Sequence, residues 1–374
     1  MTADGAPRFA RAQPSRGGVE VTLSAAGRLH RASLDAFWLL DHGQDPARLD
    51  QSTLQRTVDT FAIDPTVVAT AARIESDDLV VEWSDGSPAG RYSAALVAEV
   101  LGLAPADVPR RTWASGSLPD PLPRHEHDAV VDTDAGLAGW LDDVASLGFG
   151  LVRGVSATAE AAERLARRVG YPRQTIFGGM WRLSSEMTDH SDSAYSQTFL
   201  EPHTDATYVP DAPGLQMFCC IERDGTGGES ILVDGLAAAE DLRATDSAAF
   251  ATLTSVHVPG RYVEQGVHLR AERPAIRLGR DGAIAQISIN NYDRAPFRLP
   301  EAEMREFYRA YGAFHRRLND RSHWLLVRLD PGDALLFDNW RTLHGRMAYT
   351  GRRVFVGCYH NREDFDSRRR VLRA

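Results

Sequence analysis

The chain has 374 residues, of which 25% are charged and 43% hydrophobic, and a formal net charge of −9. That length can bury a large core in more than one domain, and the acidic balance speaks against an electrostatic footprint for nucleic acid or an anionic membrane. No apolar run reaches the length of a membrane span, the first residues lack the apolar core of a signal peptide, and three cysteines (Cys219, Cys220 and Cys358) make no disulfide framework, so a cytoplasmic location is expected.

Residues 1–18 are rich in Gly, Pro, Ala and Arg and read as a loose, disordered tail. Residues 19–23 alternate like a strand, 79–83 read as a strand entering the Ser84-Asp85-Gly86 turn, and 92–101 look helical. Together they predict a small N-terminal β-rich domain over 19–104. A proline-marked linker, 105–124, leads into a larger unit over 125–374. There, Leu137, Trp140, Leu141, Val144 and Leu147 recur with helical spacing, 148–155 read as a buried strand and turn, and 157–169 form an Ala- and Arg-rich amphipathic helix. From residue 199 short strands dominate, with turns at 224–228, 281–282 and 331–333 and a helix over 301–318 between them. The predicted class is mixed α+β and β-rich, with a sandwich or jelly roll as the core of the larger unit.

The most informative segment is His203-Thr204-Asp205. In a strand, residues i and i+2 point to the same face, so an imidazole and a carboxylate reach one point. A lone His-X-Asp equally describes a half-buried His bonded to a surface Asp. His344, following the turn and apolar strand of 329–338, is the candidate third ligand. The three would form the two-His, one-carboxylate facial triad of a non-haem Fe(II) oxygenase, which leaves metal positions open for a cosubstrate and O2. Nine residues after His344 comes Arg353. A 2-oxoglutarate cosubstrate chelating the metal needs a cation for its distal carboxylate, and a guanidinium offers a bidentate fork. Ser230 could support the same carboxylate, or be an ordinary turn serine. Asp338 could orient a ligand or the Arg341 region, or simply flank its turn.

These segments resemble the γ-butyrobetaine and trimethyllysine hydroxylase family of Fe(II)/2-oxoglutarate dioxygenases, within the taurine dioxygenase-like superfamily. The resemblance runs from about residue 19 to the C-terminus. It is carried by Trp38-Leu39-Leu40-Asp41, Gly178-Gly179-Met180-Trp181, Glu201 to Tyr208, Gly225 to Gly235, Asn290-Asn291-Tyr292-Asp293-Arg294-Ala295 and Phe337 to Arg346. It implies His203, Asp205 and His344 as iron ligands and Arg353 for 2-oxoglutarate. It also implies a double-stranded β-helix (jelly roll) with flanking helices, ascorbate as reductant and a homodimer.

The family recognises a trimethylammonium group with an aromatic cage, and cation–π contacts contribute about 0.5–2 kcal/mol each. The matching positions are Phe177 (where the family usually has Tyr), Trp181, Tyr195 and Tyr359. Asp192 and Asn291 match the trimethyllysine branch, where an acid suits the substrate's α-ammonium. One departure is clear. The family's N-terminal zinc cluster falls here on Gly43, Asp45, Arg48 and Ser87, a set unfit for zinc, so no zinc is expected. The expected activity is hydroxylation of an unactivated C–H in a small cationic amino acid or betaine, trimethyllysine-like. Two alternatives stand beside it. One is hydroxylation, desaturation or cyclisation of an amino-acid-derived intermediate of specialised metabolism. The other is a non-catalytic metal-binding jelly-roll protein.

Overall fold

The computed structural model describes residues 6–103, 108–184 and 195–373. The chain divides into two compact units, Met1–Asp107 and Val108–Ala374.

In the first unit β1 (Arg8–Ser15), β2 (Gly18–Ala25) and β3 (Arg28–Asp35) form an antiparallel meander. A second three-stranded sheet contains β4 (Ala69–Glu75), β5 (Asp78–Trp83) and β6 (Gly90–Ser93). Alternation puts Val19, Val21 and Leu23 of β2 into one core with Leu79, Val81 and Trp83 of β5. Residues 8–15, expected as part of a loose tail, are instead a strand paired with β2 along its length, with Phe9 only 7% exposed. Composition misled here because Phe9 is the strand's one buried side chain and the rest are small, polar or proline. The helix expected over 92–101 runs over Ala94–Val100, after Tyr92 has been used as a buried strand residue, and the Ser93 hydroxyl caps it by accepting from Leu96 N at 3.2 Å. At the positions matched to the family's zinc cluster, Arg48 Nη1 meets Asp45 Oδ2 at 2.7 Å, the Arg48 stem lies against Gly43, and Ser87 bonds Asp85.

The second unit begins with β7 (His125–Glu126), β8 (Phe149–Arg153), β9 (Met180–Ser184), β10 (Leu200–His203), β11 (Leu215–Asp224) and β12 (Ser230–Asp234). Two hairpins follow, β13 (His257–Glu264) with β14 (Val267–Pro274) and β15 (Ile276–Leu278) with β16 (Ile284–Ile287). The chain closes with β17 (Leu325–Val327), β18 (Ala334–Asp338), β19 (Thr342–Arg346) and β20 (Arg352–His360). A six-stranded sheet has the order β7-β8-β18-β11-β20-β9, and a four-stranded sheet the order β10-β19-β12-β17. Phe149, Leu335, Phe337 and Phe355 of the first sheet share a core with Leu232, Leu325 and Val327 of the second, so the sheets face each other.

Helices cover both outer faces. Asp134–Leu147 and Ala159–Val169 bury Leu137, Leu141 and Leu165 against Met217, Leu336 and Cys358. Gly235–Thr245 and Glu301–Leu318 bury Leu242, Phe307 and Phe314 against Ile231, Val233 and Leu343. The three cysteines are buried free thiols. Among the described residues no helix is long and apolar enough to cross a membrane.

Deleting residues 1–15 is expected to lower the melting midpoint of the first unit. It exposes the β2 edge and forfeits the burial of Phe9, about 1.5–3 kcal/mol by itself. Calorimetry of the truncated protein checks this; an unchanged midpoint shows that β1 is dispensable.

Candidate active site

The site forms where the chain passes from one sheet to the other. The last residues of β18 lie in the six-stranded sheet, a turn over 339–341 crosses over, and β19 begins in the four-stranded sheet. β19 runs beside β10, and His344 is the direct cross-strand partner of His203. Such partners hold their Cβ atoms close together, and the two imidazole centroids are 4.4 Å apart. Asp205 completes the group: His203 Nε2 lies 3.4 Å from its Oδ1 and His344 Nε2 3.7 Å from its Oδ2. The three side chains present ligand atoms all within 4.8 Å of one another.

Strand alternation alone does not place Asp205, because β10 ends at His203. Thr204 turns away, its backbone N–H donating to Ile289 O and its hydroxyl accepting from Ile289 N, both at 2.9 Å. Ala206 follows in the left-handed region, φ 59°. The side chain of Asn339 holds Asp205 from the crossing turn. Its Oδ1 accepts from Asp205 N at 2.8 Å, and its Nδ2 donates to Asp205 O at 3.2 Å and to Pro213 O at 3.0 Å. Asn339 is 1% exposed and was not among the residues singled out from sequence. It acts on the backbone across 134 residues, a role that leaves no periodic signal.

The donor set suits a divalent metal. The His203 Nδ1–H donates to Glu201 O at 2.7 Å, which fixes the tautomer and leaves Nε2 for a metal. Burial, foremost, pushes His344 down to about 3, so it stays a neutral imidazole. Burial also opposes the charged forms of Asp205 and His203, but their mutual attraction prevails. The carboxyl is held below its usual range, helped by the imidazoles and the Tyr359 hydroxyl, and His203 is shifted up. An anionic carboxylate between two imidazoles is the ligand set of non-haem Fe(II) sites.

The same cavity is lined by Phe177, Trp181, Tyr195, Ser230, Arg353 and Tyr359 together with the three ligand candidates. Arg353 is 8% exposed and lies over the Phe355 ring, with its Cζ 3.9 Å from the centroid. Among the described residues its Nε has no acceptor, and burial, then neighbouring Arg346, pushes the guanidinium down to about 10. Gly228 makes room for it: φ is +73°, and a Cβ there would lie 3.0 Å from Tyr349 Cβ and 3.3 Å from Arg353 Cδ. A Cβ at Gly357 would overlap the Trp181 ring, so that glycine seats the indole. Trp181 stands 5.7 Å from the Tyr359 ring, centroid to centroid.

One expectation, Asn291, needs correction, and for Asp338 the turn-flanking reading holds. Asn291 is exposed and takes a bond from Arg294 at 3.3 Å; its neighbours Asn290, Tyr292 and Asp293 line the cavity in its place. Asp338 does not touch the ligand group. It caps the crossing turn by accepting from Trp340 N at 2.9 Å and pairs with Arg362 at 2.6 Å, while Arg341 forms a buried two-pronged pair with Asp234 at 2.9 and 3.0 Å. Asp192 lies outside the described residues. Arg346, also in the cavity wall, was missed, although it sits two residues beyond His344 on the same strand and so on the same face. Its Nη2 donates to Ser196 O at 2.5 Å and Thr198 O at 3.0 Å, beside Tyr195.

Residues 121–359 match the model of the family described as "Taurine catabolism dioxygenase TauD, TfdA family". The chain belongs to this family. It is 33% identical over 347 residues to the mitochondrial trimethyllysine dioxygenase of Rattus norvegicus, covering 90% of this chain and 82% of that protein. It is 34% identical over 303 residues to the gamma-butyrobetaine dioxygenase of Pseudomonas sp. (strain AK-1), covering 79% of this chain and 78% of that protein. Among solved structures, an asparagine oxygenase in complex with Fe(II), 2S,3S-3-hydroxyasparagine and succinate is similar at 15% identity and a TM-score of 0.49, covering 61% of this chain and 78% of that one. The protein is thus a 2-oxoglutarate-dependent dioxygenase, for which the family implies iron, 2-oxoglutarate and O2; neither alternative reading is favoured.

Asn339→Ala is expected to weaken metal binding while the chain still folds. It strands a buried N–H and two carbonyls at roughly 1–3 kcal/mol each and frees the Asp205 main chain. Anaerobic Co(II) titration and a melting curve measure both effects; unchanged metal affinity shows that Asp205 is placed without the clamp.

Proposed function

We propose that the enzyme hydroxylates an unactivated C–H of a small cationic amino acid or betaine, with trimethyllysine the first candidate. The observation that carries this reading is that His203, Asp205 and His344 open onto the same cavity that Phe177, Trp181, Tyr195 and Tyr359 wall. Four π-faces suit a quaternary ammonium, which has no hydrogen to donate and is held by ring quadrupoles. The relatives named for trimethyllysine and gamma-butyrobetaine support a substrate of this kind.

In this reading His203, Asp205 and His344 hold the iron, which, when bound with 2-oxoglutarate, supplies the O2 chemistry that oxidises a C–H. The chain's own contribution is placement. Arg353, an internal cation without a paired carboxylate among the described residues, takes the distal carboxylate of 2-oxoglutarate, with the Ser230 hydroxyl in the same cavity wall. The aromatic walls set the cationic end of the substrate, so its reacting carbon is presented to the metal from a fixed distance. Asp192 is the proposed partner of an α-ammonium. The two facing sheets are the double-stranded β-helix of the proposal. We further propose ascorbate as reductant, no zinc in the first unit, a homodimer and a cytoplasmic setting without nucleic-acid or membrane partners.

Purified protein with Fe(II), ascorbate, 2-oxoglutarate and O2 should form succinate fastest with trimethyllysine among trimethyllysine, γ-butyrobetaine, lysine and other basic amino acids, giving a product heavier by one oxygen atom. Equal slow turnover with every compound would defeat the substrate proposal and leave the dioxygenase. His203→Ala is expected to abolish this turnover; undiminished 2-oxoglutarate consumption would refute the ligand assignment. Arg353→Ala should raise the KM for 2-oxoglutarate roughly 10- to 100-fold, the worth of a hydrogen-bonded charge, with little change in substrate KM; an unaltered cosubstrate KM would move the carboxylate site elsewhere.

A further inference from the structure

Tyr359 belongs to two parts of the cavity at once. Its ring stands beside Trp181, at 5.7 Å between centroids and 51° between planes. Its hydroxyl, at the other end of the same ring, donates to Asp205 Oδ2 at 2.8 Å. The Asp205 carboxylate is spread between three groups: Oδ1 faces His203 Nε2 at 3.4 Å, and Oδ2 is shared between the Tyr359 hydroxyl and His344 Nε2 at 3.7 Å. A hydroxyl bonded to a carboxylate is a charge-assisted contact, stronger and more directional than a neutral one.

The main chain under Tyr359 is fixed. The residue is paired with Gln216 of β11, and its carbonyl accepts from Arg173 N at 2.7 Å. What remains is rotation about two side-chain torsions, and a planar phenol moves as one piece. Anything that presses on the ring therefore moves the hydroxyl, and the hydroxyl moves or releases Oδ2. A phenylalanine would serve equally well as a cage wall but could not make this bond.

We propose that Tyr359 is a positioning residue for the metal site: its hydroxyl orients the carboxylate ligand Asp205, and its ring passes the arrival of a guest in the aromatic pocket on to that carboxylate. The guest's identity rests on the substrate reading above; the hold on Asp205 does not.

The test uses the full chain, oxygen-free, with Co(II) as a spectroscopic probe. Tyr359→Phe keeps the ring and removes the hydroxyl, while Tyr359→Leu removes both. Each is expected to weaken Co(II) binding about tenfold, the usual size of losing a group that orients a ligand, and by similar amounts, because the hydroxyl is the part that reaches Asp205. With Co(II) and 2-oxoglutarate at saturation, trimethyllysine should change the visible Co(II) spectrum of the unsubstituted protein. In Tyr359→Phe calorimetry should still show binding, with most of that spectral change lost. A wild-type Co(II) Kd in Tyr359→Phe, or a full spectral response there, overturns the proposal. If the unsubstituted protein binds no trimethyllysine, the substrate reading fails, and the two Co(II) titrations still decide whether the hydroxyl positions the ligand.

Discussion

A carboxylate kept charged in a half-buried place is the constraint on which this molecule turns. Removing a carboxylate from water costs several kcal/mol unless donors and opposite charge replace the lost hydration. Asp205 is given these from four directions. His203 comes from β10, His344 from β19, the Tyr359 hydroxyl from β20, and Asn339 grips the backbone from the crossing turn. No single hairpin contains this set. In the open chain water keeps Asp205 ionised; once the sheets close over it, these groups must replace that water, so the fold and the candidate ligand group depend on each other. Phe149, Leu335, Phe337 and Phe355 packed on Leu232, Leu325 and Val327 hold the sheets together, and the helices, with Leu137, Leu165, Phe307 and Phe314 driven inward, cover their outer faces.

How much of this was legible in the chain depended on whether the information was local. Helices Asp134–Leu147, Ala159–Val169 and Glu301–Leu318 follow their hydrophobic spacing closely, and β2 reads directly from its alternation. The convergence of His203, Asp205 and His344 was legible because ligand chemistry restricts the residue types and the i, i+2 spacing narrows the choice. Strand alternation was nevertheless the wrong cause for Asp205, which lies past the end of β10. Residues that act across the fold were invisible. Asn339 reads as one more polar turn residue until the partner 134 residues away is known. Asn291 and Asn290 cannot be told apart by type; only the backbone bend decides that Asn290 faces the cavity and Asn291 the solvent. Strand β1 hid behind a composition that resembles a tail, because one buried Phe9 in eight residues is a faint pattern.

The charge layout of the cavity then bears on how two guests would sort themselves. Arg346 and Arg353 stand together in its wall, both shifted down chiefly by burial, so an anion placed there recovers part of the cost of burying them. Asp293 and Asp205 lie on the His203 side; Asp293 raises the affinity of that imidazole for a proton and is itself held by Asn290 at 2.9 Å. Two unit charges 4 Å apart interact by about 4 kcal/mol at an effective dielectric constant of 20, enough to set the orientation of a small molecule. The distal carboxylate of a dianionic cosubstrate is drawn to the arginines and away from the acids; a cationic group experiences the reverse. Trp181 and Tyr359 line the same cavity, with faces that prefer a cation and edges that prefer an anion. Charge and the aromatic wall act together on the ends, and that wall is tied to Asp205 through the Tyr359 hydroxyl.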